Sequence, residues 1–262
     1  MRNRQVARTF CFSGTSMSRT YRLITCLLLG FMYTGISQAG ISLSSTRLVF
    51  KEGRKEESLI VRNDGGEIIV QSWLEPEAGT DIKDLPFVVT PPLVRVTPQQ
   101  QQLLRVLYSG AAMATDKESI FWLNVQEIPQ ASDSDNALQF AFRQRIKVFY
   151  RPKGLTGDPI QATSKLQWRP SQNANRSELN ISNPTPYYVS LVDLDIETRT
   201  TPKRIAEVQM LAPGESVTLP MAATQGRTEQ VLRFGSMNEY GGRDHYVVKL
   251  TDRQMTHAKA TE

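Results

Sequence analysis

The chain has 262 residues, with 31 Lys and Arg against 26 Asp and Glu, a formal charge of +5, 40% hydrophobic residues, two His and two Cys. That hydrophobic content fits folded domains rather than a disordered chain. So few imidazoles and thiols exclude most zinc sites and most nucleophile–base pairs.

The first stretch reads as an export signal. Residues Met1–Ala39 carry Arg2, Arg4, Arg8, Arg19 and Arg22 and no acidic residue, then the apolar run Leu23–Tyr33, then Ser37-Gln38-Ala39. A positive flank, a short apolar core and small residues at the third and first places before the cut define a secretory leader, predicted to be cleaved after Ala39. The apolar run is too short to span a bilayer as a helix. Met17 as start would give a more usual leader length, and Cys26, inside the apolar run behind Thr25, argues against a lipoprotein. Without the leader, 26 basic residues face 26 acidic ones, so the positive balance belongs to the export signal and not to a nucleic-acid surface. Cys11 and Cys26 leave with it, and the mature chain is expected to have no disulfide in an oxidising compartment.

The rest is a succession of short alternating segments broken by Gly, Pro, Asn and Asp, with no convincing amphipathic helix and no close internal repeat. Strands are predicted at Ile41–Phe50, Glu57–Asn63, Ile68–Leu74, Phe87–Thr90, Gln102–Tyr108, Ser119–Ile128 and Leu138–Tyr150, with a turn at Asp64-Gly65-Gly66. Seven strands is the count of an immunoglobulin-like sandwich. The polar break Lys153–Pro159 precedes a second set: Lys165–Arg169, Glu178–Ser182, Tyr187–Glu197, Ala206–Leu211, Ser216–Leu219, Glu229–Gly235 and Asp244–Thr251. The expected architecture is all-β: two tandem sandwich domains, residues 40–151 and 152–251, with a disordered tail over 252–262.

The longest of these segments, Ala137–Tyr150, has one row of Leu138, Phe140, Phe142, Gln144, Ile146, Val148 and Tyr150 and another of Ala137, Gln139, Ala141, Arg143, Arg145, Lys147 and Phe149. An apolar face is thus backed by a cationic one. Either every large side chain packs in the domain's own core, or part of this unusually long row is left for a partner. In the first strand, Arg47 falls in the row Ile41, Leu43, Ser45, Val49. Taken alone, that describes an arginine near a strand end with its stem packed and its head in water.

Catalytic signatures are missing from the sequence. His245 and His257 are the only imidazoles, and there is no phosphate-binding glycine loop or nucleophile elbow, which disfavours an enzyme. Asn175-Arg176-Ser177 matches a glycosylation sequon, a common chance occurrence.

RIKVFYRP at Arg145–Pro152, with TRLVF at Thr46–Phe50, TPPLVR at Thr90–Arg95, ESIFWLNVQEIP at Glu118–Pro129, NPTPYY at Asn183–Tyr188 and NEYGGR at Asn238–Arg243, resembles in content and order the periplasmic pilus (fimbrial) chaperones of the PapD-like family. The resemblance implies two immunoglobulin-like domains in a boomerang arrangement. It also implies a periplasmic, non-enzymatic role: capping pilus subunits by donor-strand complementation and passing them to an outer-membrane usher. No cofactor, metal, nucleotide, nucleic acid or small-molecule substrate is implied. Residue by residue, Arg47 and Lys147 fall on the cleft cations that bind a subunit's C-terminal carboxylate. Leu138, Phe140 and Phe142 fall on the three donor-strand residues, and two Phe there point to a roomy subunit groove. Glu118, Arg151 and Glu239 fall on an interdomain ion-pair cluster in which Asp is common at the third place; without the resemblance they read as three unrelated surface charges. The short Pro129–Ala137 connection and the lack of a cysteine pair resemble the short-loop branch, which assembles rod-like pili. Two rival classes are a surface adhesin or pilin, which would carry a donor extension before its first strand, and a periplasmic hydrolase or sugar-binding protein.

Overall fold

The computed structural model describes residues 40–80, 84–131, 138–173, 176–197, 201–221, 229–251 and 254–261. The leader, most of the Pro129–Ala137 connection and Asn175 of the sequon lie outside the described residues.

Two immunoglobulin-like sandwiches follow one another. In the first, β1 (Ile41–Leu43), β3 (Glu56–Asn63), β7 (Gln101–Tyr108) and β5 (Phe87–Thr90) form one sheet in the order β1-β3-β7-β5. The facing sheet has the order β2-β9-β8-β4-β6, with β2 (Arg47–Lys51), β9 (Arg143–Arg151), β8 (Ser119–Pro129), β4 (Ile68–Pro76) and β6 (Leu93–Val96). Period-two rows from both sheets meet in a core that includes Phe50, Leu59, Val61, Val70, Leu104, Phe121, Leu123 and Val148. Phe50, Phe87, Tyr108 and Tyr150 cluster at one end of it, with Phe50 and Phe87 ring centroids 5.0 Å apart.

The second sandwich sets β10 (Gln167–Asn173), β11 (Arg176–Ser182) and β14 (Ser216–Met221) against five strands in the order β13-β12-β15-β16-β17. These are β13 (Lys203–Leu211), β12 (Val189–Ile196), β15 (Glu229–Met237), β16 (Arg243–Thr251) and β17 (Lys259–Ala260). Its core is built on Trp168, Leu179, Ile181, Leu191, Leu194, Ile196, Leu232 and Phe234. Between the sandwiches lie a 3-10 turn, Pro159–Gln161, and one helical turn, α1 (Ala162–Lys165). Asp158 caps the 3-10 turn by accepting from the Ile160 amide at 2.9 Å.

Four expectations need correcting. The strand expected over Ile41–Phe50 is two strands in different sheets: β1 pairs with β3, and β2 pairs in parallel with β9. The break falls at Ser44-Ser45, where the Ser44 hydroxyl accepts from the Ile60 amide of β3 at 3.0 Å and the Ser45 hydroxyl bonds locally, donating to the Arg47 carbonyl. Serine offers the backbone this alternative to a continuous ladder. Strand β6, hidden behind Pro91-Pro92 in the sequence, pairs with β4 through Ile68↔Val96. The tail expected to be disordered folds back: Thr256 and Trp168 exchange two backbone hydrogen bonds of 3.0 Å, Ala258 is buried, and β17 adds to β16. Open sheet edges, with their unpaired N–H and C=O groups, recruit a segment whose polar composition gives no such signal. The long strand starts not at Leu138 but at Arg143.

Candidate functional site

Strand β9 organises the site. Its Ile146, Val148 and Tyr150 point into the first core, while Lys147 and Phe149 lie on the opposite face. Phe149, 5% exposed, packs on Tyr188 of the second sandwich with ring centroids 5.8 Å apart. On one side β9 pairs with β8 from Arg143 to Tyr150; on the other, β2 accompanies it only from Lys147 to Arg151. From Arg143 to Ile146 it is therefore an edge.

The ladder ends for a readable reason. The last bond donates from the Glu127 amide to the Phe142 carbonyl at 3.0 Å. Continuing the Gln126↔Arg143 register would set Pro129 opposite Phe140, and proline has no N–H to donate. Leu138, Phe140 and Phe142 consequently stand outside any strand, 79%, 62% and 60% exposed, with the two Phe rings stacked 6.3 Å apart. Among the described residues this is a contiguous apolar row with no packing partner of its own, of the kind that marks an interaction site.

The parallel register of β2 and β9 sets Arg47 beside Lys147. Both reach toward the second sandwich: Arg47 Nη1 donates to the Met237 carbonyl at 3.3 Å and Lys147 Nζ to Ser190 Oγ at 3.0 Å. Neither has a carboxylate within ion-pairing distance among the described residues, and Arg47 Nε is buried without a hydrogen-bond partner. Burial, then the neighbouring Arg47 charge, pulls the Lys147 ammonium down to about 8, with Glu77 opposing. Burial also lowers Arg47. Two adjacent, partly desolvated cations without a counter-ion form a receptor for an anion. A cavity of about 150 Å³, lined by Arg47, Phe149, Arg151 and Tyr187 among others, opens next to them.

Glu118, Arg151 and Glu239 are brought together. Arg151 Nε donates to Glu118 at 2.6 Å, its Nη1 meets Glu239 on the β15–β16 turn, and its guanidinium lies over Tyr187, 5.3 Å from the ring centroid. Glu118 is 3% exposed and also accepts from the Tyr188 amide at 2.9 Å. Burial raises its carboxyl above the ordinary range, against the pull of Arg151.

The turn that delivers Glu239 explains NEYGGR. Asn238 Oδ1 accepts from the amides of Tyr240 and Gly242, and Gly241 adopts φ +83 where a Cβ would overlap Thr46. In NPTPYY, buried Asn183 donates to the carbonyls of Tyr187 and Leu211 and so sets the strand that carries Ser190.

Sequence reasoning missed the aromatic floor beside the exposed Leu138–Phe142 segment. Arg145 lies over Trp122 at 4.1 Å and Arg143 over Trp73 at 6.0 Å, each indole bonded to a Glu: Trp122 to Glu77 and Trp73 to Glu75. The signal was present, since β4 and β8 each place a Trp in the phase opposite their core row. Cross-strand neighbours, however, follow only from register. No group of three or more His, Cys, Asp or Glu among the described residues could hold a metal ion.

Comparison with known proteins covers nearly all of these elements. The model for the pili and flagellar-assembly chaperone PapD N-terminal domain matches residues 40–156, and that for the pili assembly chaperone PapD C-terminal domain matches residues 161–248. A probable fimbrial chaperone of Escherichia coli K12, YadV, is 33% identical over 88% of this chain and 96% of its own. The chaperone protein FimC of the same strain is 35% identical over 87% and 94%. The crystal structure of the YadV chaperone superposes with a TM-score of 0.69, covering 81% of this chain and all of that one. A Salmonella enterica complex of the SafA pilin with the SafB chaperone gives 0.65 at 26% identity, covering 82% and 99%.

Proposed function

Because the chain belongs to the PapD-like family of pilus-assembly chaperones, we propose that it holds pilus subunits by donating the segment Leu138–Phe142 to their open groove and anchors each subunit's C-terminal carboxylate on Arg47 and Lys147. The observation that carries this reading is the exposed apolar row running straight out of β9. It leads directly into the strand that bears one of two adjacent cations lacking a counter-ion among the described residues. In strand addition, backbone bonds supply affinity and alternate side chains fill pockets, a mode established for chaperone–pilin pairs. Burying three large apolar side chains contributes on the order of 5–9 kcal/mol before ordering costs. The carboxylate anchor fixes which subunit residue meets which donor residue.

The first sandwich, residues 40–151, supplies strand and anchor. The second, from residue 152 on and including β17, presents the other wall of the cleft, and the Glu118–Arg151–Glu239 cluster holds the two in register. The chaperone acts in the periplasm after removal of a leader ending at Ala39. It delivers subunits to an outer-membrane usher without nucleotide or cofactor, because the subunit exchanges this strand for a neighbour's. The reading is tested by the periplasmic level of subunits co-expressed with Arg47→Ala or Lys147→Ala. Subunits are expected to be degraded while the chaperone persists; wild-type subunit levels beside a folded variant would overturn the reading.

A further inference from the structure

The corner where β1, β8 and the root of the donor segment meet contains a carboxylate in need of a cation. Glu127 is 5% exposed and its Oε2 is buried without a hydrogen-bond partner. Its backbone N–H makes the last bond to Phe142. Burial raises its carboxyl above the ordinary carboxylate range, opposed only in part by the amides of Phe142 and Ile41. The carboxyl lies directly over Gly40: a Cβ there would overlap Oε2. Gly40 is itself fixed, its carbonyl accepting from the Asp64 amide at 3.0 Å. The other charged and polar groups near this corner are already engaged or turned outward. Asp64 pairs with Arg62 at 2.7 Å and accepts from Ser42, Gln144 donates to the Ile41 carbonyl, and Arg143 is exposed.

Gly40 is also the residue that follows the leader's cleavage signal Ser37-Gln38-Ala39. In the precursor its nitrogen is an amide with a single N–H and no charge. After cleavage the same atom is an ammonium with three donors, attached to the Cα that Glu127 covers. A buried carboxylate beside neutral groups is costly, and a cation at hydrogen-bonding range offsets that cost.

We propose that Glu127 is the receptor for the chain's own processed N-terminus: leader removal at Gly40 creates the α-ammonium that pairs with Glu127, and this pair ties β1 to the root of the donor segment. Maturation then completes the fold at the place from which the subunit-binding segment departs. The proposal rests on the leader reading above, and its test separates the two.

Mature protein beginning at Gly40 is compared with the same chain extended by one Ala before Gly40, each with Glu127 and with Glu127→Gln. The authentic terminus is expected to melt at least about 3 °C above the extended chain, and Glu127→Gln to abolish that difference. Acetylation of the α-amine at pH 7 should be about tenfold slower with Glu127 than with Glu127→Gln, because an ion-paired ammonium holds its proton above the ordinary range near 8. Equal melting of the authentic and extended chains, or acetylation indifferent to Glu127, overturns the pairing. N-terminal sequencing of the exported protein tests the leader reading separately, a first residue other than Gly40 refuting the cut.

Discussion

Exchanging Phe140 and Phe149 for Glu, one at a time, tests the division of labour between β9 and the segment leading into it, because the two residues lie on opposite rows of the sequence and in opposite environments. Phe140 is 62% exposed and stacks on the neighbouring Phe142 ring, so a charge there costs the free chaperone no more than about 0.5 kcal/mol. Phe149 is buried against Tyr188 with Arg47 above it. Removing such a ring costs about 3–5 kcal/mol even before a carboxylate is buried in its place. At roughly 2–4 °C per kcal/mol for a protein of this size, Phe149→Glu should lower the melting temperature by at least about 6–20 °C, while Phe140→Glu leaves it unchanged. Subunit capture should show the converse for Phe140→Glu. It forfeits about 1.5–3 kcal/mol of burial, and affinity should fall roughly 10- to 150-fold. Melting by circular dichroism beside capture of a purified subunit decides the matter. A Phe140→Glu variant that unfolds, paired with a Phe149→Glu variant that does not, would reverse the two faces and refute the reasoning.

Two further predictions concern charge. Lys147 is held at about 8 in the free chaperone against 10.5 for the ordinary side chain, so the folded state disfavours its proton. The free protein should therefore gain stability between pH 8 and 10.5, and Lys147→Met should flatten that rise in pH-dependent melts. A bound carboxylate works in the opposite direction by restoring the proton, so subunit affinity should fall as pH rises through about 8, a dependence lost in Lys147→Met. Reversing Arg151 leaves Glu118 buried and unpaired at a cost of about 3–5 kcal/mol, whereas reversing exposed Arg54 costs little. Coincident melts of Arg151→Glu and Arg54→Glu would show that the cluster carries no stability.

How much of this was legible depends on whether the deciding interaction is local. The alternation in Ala137–Tyr150 is local, and Ile146, Val148 and Tyr150 take the buried face it implies. Where that strand stops is not local, because it depends on Pro129 arriving opposite Phe140 through the β8 register. The same holds for Ser44-Ser45, where one apolar row passes from one sheet to the other, and for Thr256–Ala260, a polar stretch recruited by two open edges. The meeting of Glu118, Arg151 and Glu239 was readable only through family resemblance, since no spacing rule links residues so far apart in sequence. The Glu127–Gly40 contact had no sequence signal at all. A lone Glu in an apolar strand and a Gly after a leader acquire meaning only when the fold sets one over the other.

The central claim is that Leu138–Phe142 becomes a strand of the bound subunit. Amide hydrogen exchange over that segment, in the free chaperone and in its co-purified subunit complex, measures this directly. Rapid exchange is expected over 138–141 in the free protein, where these residues lie outside any strand, and strong protection on binding, with Phe142 and the Arg47 and Lys147 region of β2 and β9 already protected in both states. Exchange over 138–141 that stays equally fast in a saturated complex would contradict it.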